Sequence, residues 1–139
     1  MYLFVYGTLR FSDSLIKQGE LKCEFEFVGR GKMKALLYDI GNYPGAVYDK
    51  SGHEVDGELY RFCNEEKVLR TLDRYEGFDQ DNEKSCEYIR RQEPVLMDNG
   101  EYQVAWVYWY NRETGSKLRI EQNDYLEYLR VKSAKFEGD

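Results

Sequence analysis

The stretch VLRTLDRYEGFD, Val68 to Asp79, places an acid where a helix would bury its apolar side. In helical form Leu69, Leu72 and Glu76 recur three and four apart, so Glu76 shares one stripe with two leucines. At the last turn of a helix, unpaired carbonyls concentrate partial negative charge and disfavour a carboxylate. Burial beside the leucines adds desolvation, and Asp73 one turn earlier adds like charge. All three lift the carboxyl above its ordinary pKa near ~4.3, toward the range of about 6–7 in which a general base works best at neutral pH. The competing reading leaves Glu76 at the edge of the stripe, reaching solvent or paired with an arginine such as Arg90.

A second stretch with chemical capacity is YGTLR, Tyr6 to Arg10. A strand that stops at glycine exposes successive backbone N–H groups, which form a concave nest for a carboxylate or an oxyanion, and Gly7 lets a ligand approach the main chain. An ordinary strand-ending turn has the same sequence.

Other chemistries lack their residues. His53, in SGHEV beside a turn, is the single histidine, so Ser-His-Asp and Cys-His mechanisms would rest on one ring. Cys23, Cys63 and Cys86 are odd in number and form no CxxC pair, which indicates neither a disulfide framework nor a zinc cluster and fits a reducing cytoplasm. A carboxylate site for magnesium stays open. No Walker or Rossmann fingerprint is present. The net charge of -6, with no block of lysine or arginine, argues against nucleic acid and against a membrane surface as partners. The N-terminus lacks the pattern of a signal peptide, and no apolar run reaches membrane-spanning length. If the protein is an enzyme, carboxylates carry its chemistry.

The elements that would position these groups fit one domain spanning 1–139, with hydrophobic residues at 42%, enough for a packed core. MYLFVY reads as a buried strand, and DSLIKQ as a short helix capped by Ser12 or Asp13. CEFEFV and, after GRG, KMKALLYDI read as two further strands, followed by the turn GNYPG. GAVYDKSGHEVDGELYRF reads as a hairpin joined at Lys50-Ser51-Gly52. The helix over LDRYE has Asn64 as its N-cap, Glu65 and Glu66 in its first turn and Gly77 at its C′ position. CEYIRRQEPVLM and EYQVAWVYWY flank Asp98-Asn99-Gly100, a hairpin signal of type I′. Asn123 or Asp124 starts a last helix through YLEYLRVK. The fold class is α+β: a small mixed, largely antiparallel β-barrel with flanking short helices.

Taken together, VYGTLR (Val5 to Arg10), NYPG (Asn42 to Gly45), VDGELY (Val55 to Tyr60), LDRYEGFD (Leu72 to Asp79), YIR (Tyr88 to Arg90) and AWVY (Ala105 to Tyr108) resemble the γ-glutamylcyclotransferase-like family. The likeness is to its small bacterial and γ-glutamylamine cyclotransferase (AIG2-like) branches. The resemblance implies a small β-barrel and a cofactor-free activity that releases 5-oxoproline from a γ-glutamyl compound. It also implies Glu76 as the catalytic acid/base, from the LDxxEG motif. Backbone N–H groups of Tyr6, Gly7, Thr8 and Leu9 would hold the substrate's α-carboxylate and carbonyl, and Tyr88 of the YxR motif would line the pocket. Two departures bear on the leaving group. FSDSLIKQG stands where relatives often carry a glycine-rich stretch with asparagine, and Leu9 replaces the asparagine of the YGSN form, which points away from γ-glutamyl amino acids as sole substrates.

Arg10, Arg30, Arg90 and Arg91 each have a reading as a carboxylate ligand and a commoner one as solvated surface. Tyr102, Tyr108 and Tyr110 fall at strand spacing and read as core or barrel lining. Two rivals stand beside the enzyme: a non-catalytic small-molecule-binding module that uses the same barrel pocket, and an interaction protein with an aromatic face. Sequence alone does not give the amine portion of the substrate or the oligomeric state.

Overall fold

The computed structural model describes residues 1–6, 21, 24–41 and 43–137. Gly7, Thr8, Leu9, Arg10, the DSLIKQ helix, Cys23 and Asn42 lie outside the described residues. Among the described residues seven strands form one sheet: β1 (Tyr2–Val5), β2 (Phe25–Asp39), β3 (Pro44–Tyr48), β4 (His53–Phe62), β5 (Tyr88–Met97), β6 (Tyr102–Tyr110) and β7 (Leu118–Ile120). Helix α1 (Glu65–Glu76) follows β4, a 3-10 segment (Gln80–Ser85) precedes β5, and α2 (Tyr125–Glu137) closes the chain.

Five strands run in the order β2-β4-β1-β6-β5, and β5 returns to β2 at Gly31↔Met97 and Lys32↔Leu96, which closes a barrel. Among the described residues only β1 with β6 pairs in parallel, at Leu3↔Trp106; the other pairings are antiparallel. The mixed, largely antiparallel barrel expected from sequence is therefore present. Closure needs Gly31 to be bare: a Cβ there would stand 2.6 Å from Val95 Cγ1 and 3.2 Å from the Leu96 carbonyl.

Three local expectations change. The runs on either side of Lys50-Ser51-Gly52 are strands, yet β3 and β4 do not pair as a hairpin; both pair with β2, β3 at Ala35–Asp39 and β4 at Phe25–Ala35, on opposite edges. The stretches around GRG are one 15-residue strand, with a register shift between Phe27 and Gly29 inside its pairing with β4. At the tip of β5-β6 only Gly100 has positive φ, 88°, and its N–H donates to the Met97 carbonyl at 2.9 Å. This is a three-residue loop ending in left-handed glycine, not a two-residue type I′ turn, which would need positive φ at both central positions.

Period-two alternation sorts the side chains into two buried sets. Phe4, Val95, Ala105, Val107 and Trp109 form one set, joined by Tyr125 and Tyr128 of α2. Leu3, Val5, Tyr60 and Tyr108 face the other way and receive α1 through Val68, Leu69 and Leu72. Leu72 is fully buried, which contributes on the order of 1.5–3 kcal/mol to holding α1 against the barrel. Among tyrosines read as core or barrel lining, Tyr108 and Tyr110 are buried, whereas Tyr102, the first residue of β6, is 69% exposed.

Candidate active site

Helix α1 carries Glu76 to its place. Glu65 and Glu66 occupy its first turn, where the dipole favours negative charge. Asn64 stands at the N-cap with φ 53°, but its side chain does not cap the helix; it donates instead to Glu24 at 2.9 Å. At the other end Gly77, φ 73°, takes the left-handed conformation expected of it and donates its N–H to the Asp73 carbonyl. Phe78 donates to the same carbonyl at 2.7 Å. The helix therefore ends at Glu76, and the stripe of Leu69 and Leu72 finishes in a partly buried carboxyl rather than a solvated one.

That carboxyl lines a cavity of about 270 Å³, near the lower end of the range of about 300–1,000 Å³ typical of small-ligand pockets. Four segments meet there: the end of β1 with Tyr6, the end of α1 with Glu76, Tyr43 and Pro44 at the start of β3, and Glu87 with Tyr88 at the start of β5; Tyr108 of β6 adds to the wall. Thus Glu76, Tyr6 and Tyr88, singled out by sequence, line one cavity.

The phenols are fixed by the backbone. Tyr88 donates to the Pro44 carbonyl at 2.7 Å, and Tyr6 donates to the Tyr108 carbonyl while accepting from the Ala46 N–H at 3.4 Å. Burial pushes the Tyr6 and Tyr88 phenols far above their ordinary range, and the Glu76 charge adds to both shifts. They stay neutral and act as rigid, polar-tipped walls.

Burial raises Glu76 from 4.5 to about 7, with the negative charge of Glu87 as the second cause. The direction is the one expected, but the like-charge neighbour is Glu87 rather than Asp73. Asp73 is engaged elsewhere: Arg90 binds it through two nitrogens, at 2.7 and 2.9 Å, and the Tyr108 hydroxyl donates to it at 2.7 Å. Arg90 also lies 4.3 Å from the Trp106 ring centroid, so the pairing of Glu76 with Arg90 weighed from sequence does not form. Its charge is turned to Asp73 of α1, one turn before Glu76.

Two wall residues escaped the sequence reading. Tyr43 lies in the NYPG turn, and its hydroxyl donates to Glu87 Oε2 at 2.7 Å; that bond, then burial, pushes the phenol up to about 12. Glu87 precedes Tyr88, and its adjacency to the YxR motif was the signal available. His53 is an exposed residue 3.5 Å from Glu121 and does not line the cavity. Among the described residues no group of three or more His, Cys, Asp or Glu is placed to hold a metal ion, and no helix is long and apolar enough to cross a membrane.

Residues 3–127 match the family described as "Gamma-glutamyl cyclotransferase, AIG2-like". The chain belongs to this family. It is 31% identical over 130 residues to the γ-glutamylcyclotransferase family protein YtfP of Escherichia coli K12, covering 91% of this chain and 97% of that protein. A Methanocaldococcus jannaschii protein, provisionally named a γ-glutamylcyclotransferase, is 31% identical with the same coverage. The solution structure of E. coli YtfP superposes with a TM-score of 0.64 over 91% of this chain and 97% of that one, at 30% identity. The crystal structure of a mouse AIG2-like protein gives 0.65 over 89% and 86%, at 25% identity. The architecture is thus that of the AIG2-like cyclotransferases, and family membership supports an enzyme of γ-glutamylcyclotransferase type.

Proposed function

We infer that the protein is a cofactor-free cyclotransferase that converts a small γ-glutamyl compound into 5-oxoproline and a free amine, with Glu76 as the general acid/base. The observation that carries this reading is Glu76 itself, a partly buried carboxyl on a cavity wall with its pKa near 7. Near neutral pH such a group is present in both forms, as a base that later returns its proton must be.

In the proposed reaction the Glu76 carboxylate takes a proton from the substrate's α-ammonium. The freed amine attacks the γ-carbonyl carbon of the same molecule, forming the ring C–N bond. Protonated Glu76 then gives its proton to the departing nitrogen as the old amide C–N bond breaks, and the regenerated carboxylate takes the second proton from the ring nitrogen, leaving the neutral lactam N–H of 5-oxoproline; that proton passes on to the freed amine. Well-oriented intramolecular attack reaches effective molarities of about 10⁵–10⁸ M, so no protein nucleophile is required. Backbone N–H groups of Tyr6, Gly7, Thr8 and Leu9 are assigned to the α-carboxylate and the developing oxyanion, and Tyr88 to the wall that orients the glutamyl chain. On this reading the enzyme acts in the cytoplasm.

The test is incubation of the protein with γ-glutamyl amines and γ-glutamyl dipeptides, followed by measurement of 5-oxoproline. Release of 5-oxoproline is expected. Thermal stabilisation by these compounds without product would instead favour a binding module built on the same cavity.

A further inference from the structure

The wall that Tyr43 and Pro44 give the cavity is carried by the turn between β2 and β3. Two hydrogen bonds shape this turn: the Ile40 N–H donates to the Tyr43 carbonyl at 3.0 Å, and the Gly41 N–H to Asp39 Oδ1 at 2.8 Å. Gly41 has φ 136°, a conformation that residues with a side chain rarely take. Two more bonds join the turn to the start of β5. The Tyr43 hydroxyl donates to Glu87 Oε2 and the Tyr88 hydroxyl to the Pro44 carbonyl, both at 2.7 Å. A turn displaced by about 1 Å would stretch both bonds beyond hydrogen-bond length, and Glu87 and Tyr88 would lose their fixed places on the wall.

Asp39 is the root of the turn. Its side chain is 9% exposed, and its second oxygen, Oδ2, accepts from the Tyr128 hydroxyl and from Lys132 Nζ, the latter at 3.0 Å. Burial opposes its ionisation, but the bonds from Tyr128, Lys132 and Gly41 outweigh burial and hold the carboxyl below the usual carboxylate range. Arg30 and Arg91, read from sequence as possible carboxylate ligands, pair with Asp124 and Glu83 at exposed positions, where such a pair contributes little. Asp39 differs from these acids, because removing one of its donors leaves a shielded charge short of a partner. Tyr128 is itself held by the barrel core, where it is buried and stacks on Tyr125 with ring centroids 6.1 Å apart. Lys132 follows one helical turn later, with Nζ 5.8 Å from the Tyr128 ring centroid. Both donors lie beyond residues 3–127, the part of the chain that matches the family.

Resting on the cyclotransferase reading above, we propose that Asp39, Tyr128 and Lys132 are positioning residues for the cavity: α2 fixes the turn that carries Tyr43 and Pro44, and through them holds Glu87 and Tyr88 on the wall they share with Glu76.

The test is Lys132→Met, which removes the cation and keeps a long stem against the Tyr128 ring, beside Lys132→Arg, which restores the charge. Tyr128→Phe is the second variant, deleting the other donor while leaving the core ring in place. Glu76 shares the cavity with Glu87 and the phenols of Tyr6, Tyr43, Tyr88 and Tyr108, so its titration reports how they are placed. Its carboxyl carbon resonance is expected to titrate near 7 in the wild type and at lower pH in Lys132→Met and Tyr128→Phe, because the Glu87 charge is no longer tied and water reaches the wall. For γ-glutamyl-butylamine, kcat/KM is expected to fall about tenfold in both variants, the effect of a loosened substrate wall, and Lys132→Arg to recover most of both losses. A merely structural contact would lower the thermal midpoint alone. Folded Lys132→Met or Tyr128→Phe protein with the wild-type Glu76 midpoint and the wild-type kcat/KM overturns the proposal. If the wild type releases no 5-oxoproline, the cyclotransferase reading fails and the Glu76 midpoint decides by itself: a fall in the variants upholds the tie between α2 and the cavity, and an unchanged value removes it.

Discussion

Arg90 donates to both carboxylate oxygens of Asp73, Nε to Oδ1 at 2.7 Å and Nη2 to Oδ2 at 2.9 Å, three residues before Glu76 in the same helix. The pair is largely shielded, with side-chain exposures of 11% and 19%. It separates the last two acids of α1: Asp73 is paired and pins the helix to β5, and Glu76 stands on a cavity wall where no lysine or arginine of the described residues takes part.

Breaking this pair from one side leaves a charge without its partner. Asp73→Asn is expected to lower stability by about 3 kcal/mol, the scale for a shielded ion pair that loses one member. Urea denaturation checks it, and a double-mutant cycle with Arg90→Met should show the two losses to be far from additive.

Stability should carry the pH signature of Glu76. Its folded pKa is about 7 against an ordinary 4.5, so between these values the folded chain keeps a proton that the unfolded chain has released. Its favourable contribution is fully present below pH ~4.5 and is lost as the pH rises through about 7. At about 1.4 kcal/mol per pKa unit, this amounts to on the order of 3 kcal/mol. Glu76→Gln cannot ionise, so its denaturation midpoint is expected to fall less than that of the wild type between about pH 5 and about pH 8. Equal falls would contradict the assigned shift.

Activity should run the other way, because the base must be ionised. The kcat/KM profile is expected to rise with pH through about 7. Burial is the main cause of the raised pKa and the Glu87 charge the second. Glu87→Gln should therefore move the rise to lower pH while leaving it above 4.5. A rise that stays in place in that variant would remove Glu87 from the account of Glu76.

Gly57 gives the VDGELY motif a structural reason. A Cβ there would stand 2.5 Å from both the Val5 carbonyl oxygen and Phe4 Cζ, where β4 pairs with β1. Because backbone cannot move aside as a side chain can, Gly57→Ala is expected to cost about 3 kcal/mol or more, read as a lower thermal midpoint.

Local signals in the sequence were legible where one segment decides its own shape. Glu76 shares a stripe with Leu69 and Leu72 because helical spacing alone sets it, and Gly77 ends the helix because few other residues accept its φ. The strand runs of β3, β4, β5 and β6 were legible for the same reason. The partners of strands were not: β3 and β4 look like a hairpin by proximity, but their hydrogen bonds go to opposite edges of β2, a long-range pairing that no local spacing encodes. The site was legible in its motif residues and opaque in its electrostatics. Nothing in the spacing from Asp73 to Arg90, or from Glu76 to Glu87, shows which acid receives the arginine and which receives a second acid. Tyr43 and Glu87 come together from segments 44 residues apart, and no period links them.

The most direct measurement is 5-oxoproline release from a γ-glutamyl amine by the wild type and by Glu76→Gln, with each protein first shown to be folded by its thermal transition. The wild type is predicted to form 5-oxoproline, and the variant to lose at least about 10²-fold in kcat. A folded Glu76→Gln protein that releases 5-oxoproline at the wild-type rate would contradict the assignment of Glu76 as the group that moves the proton.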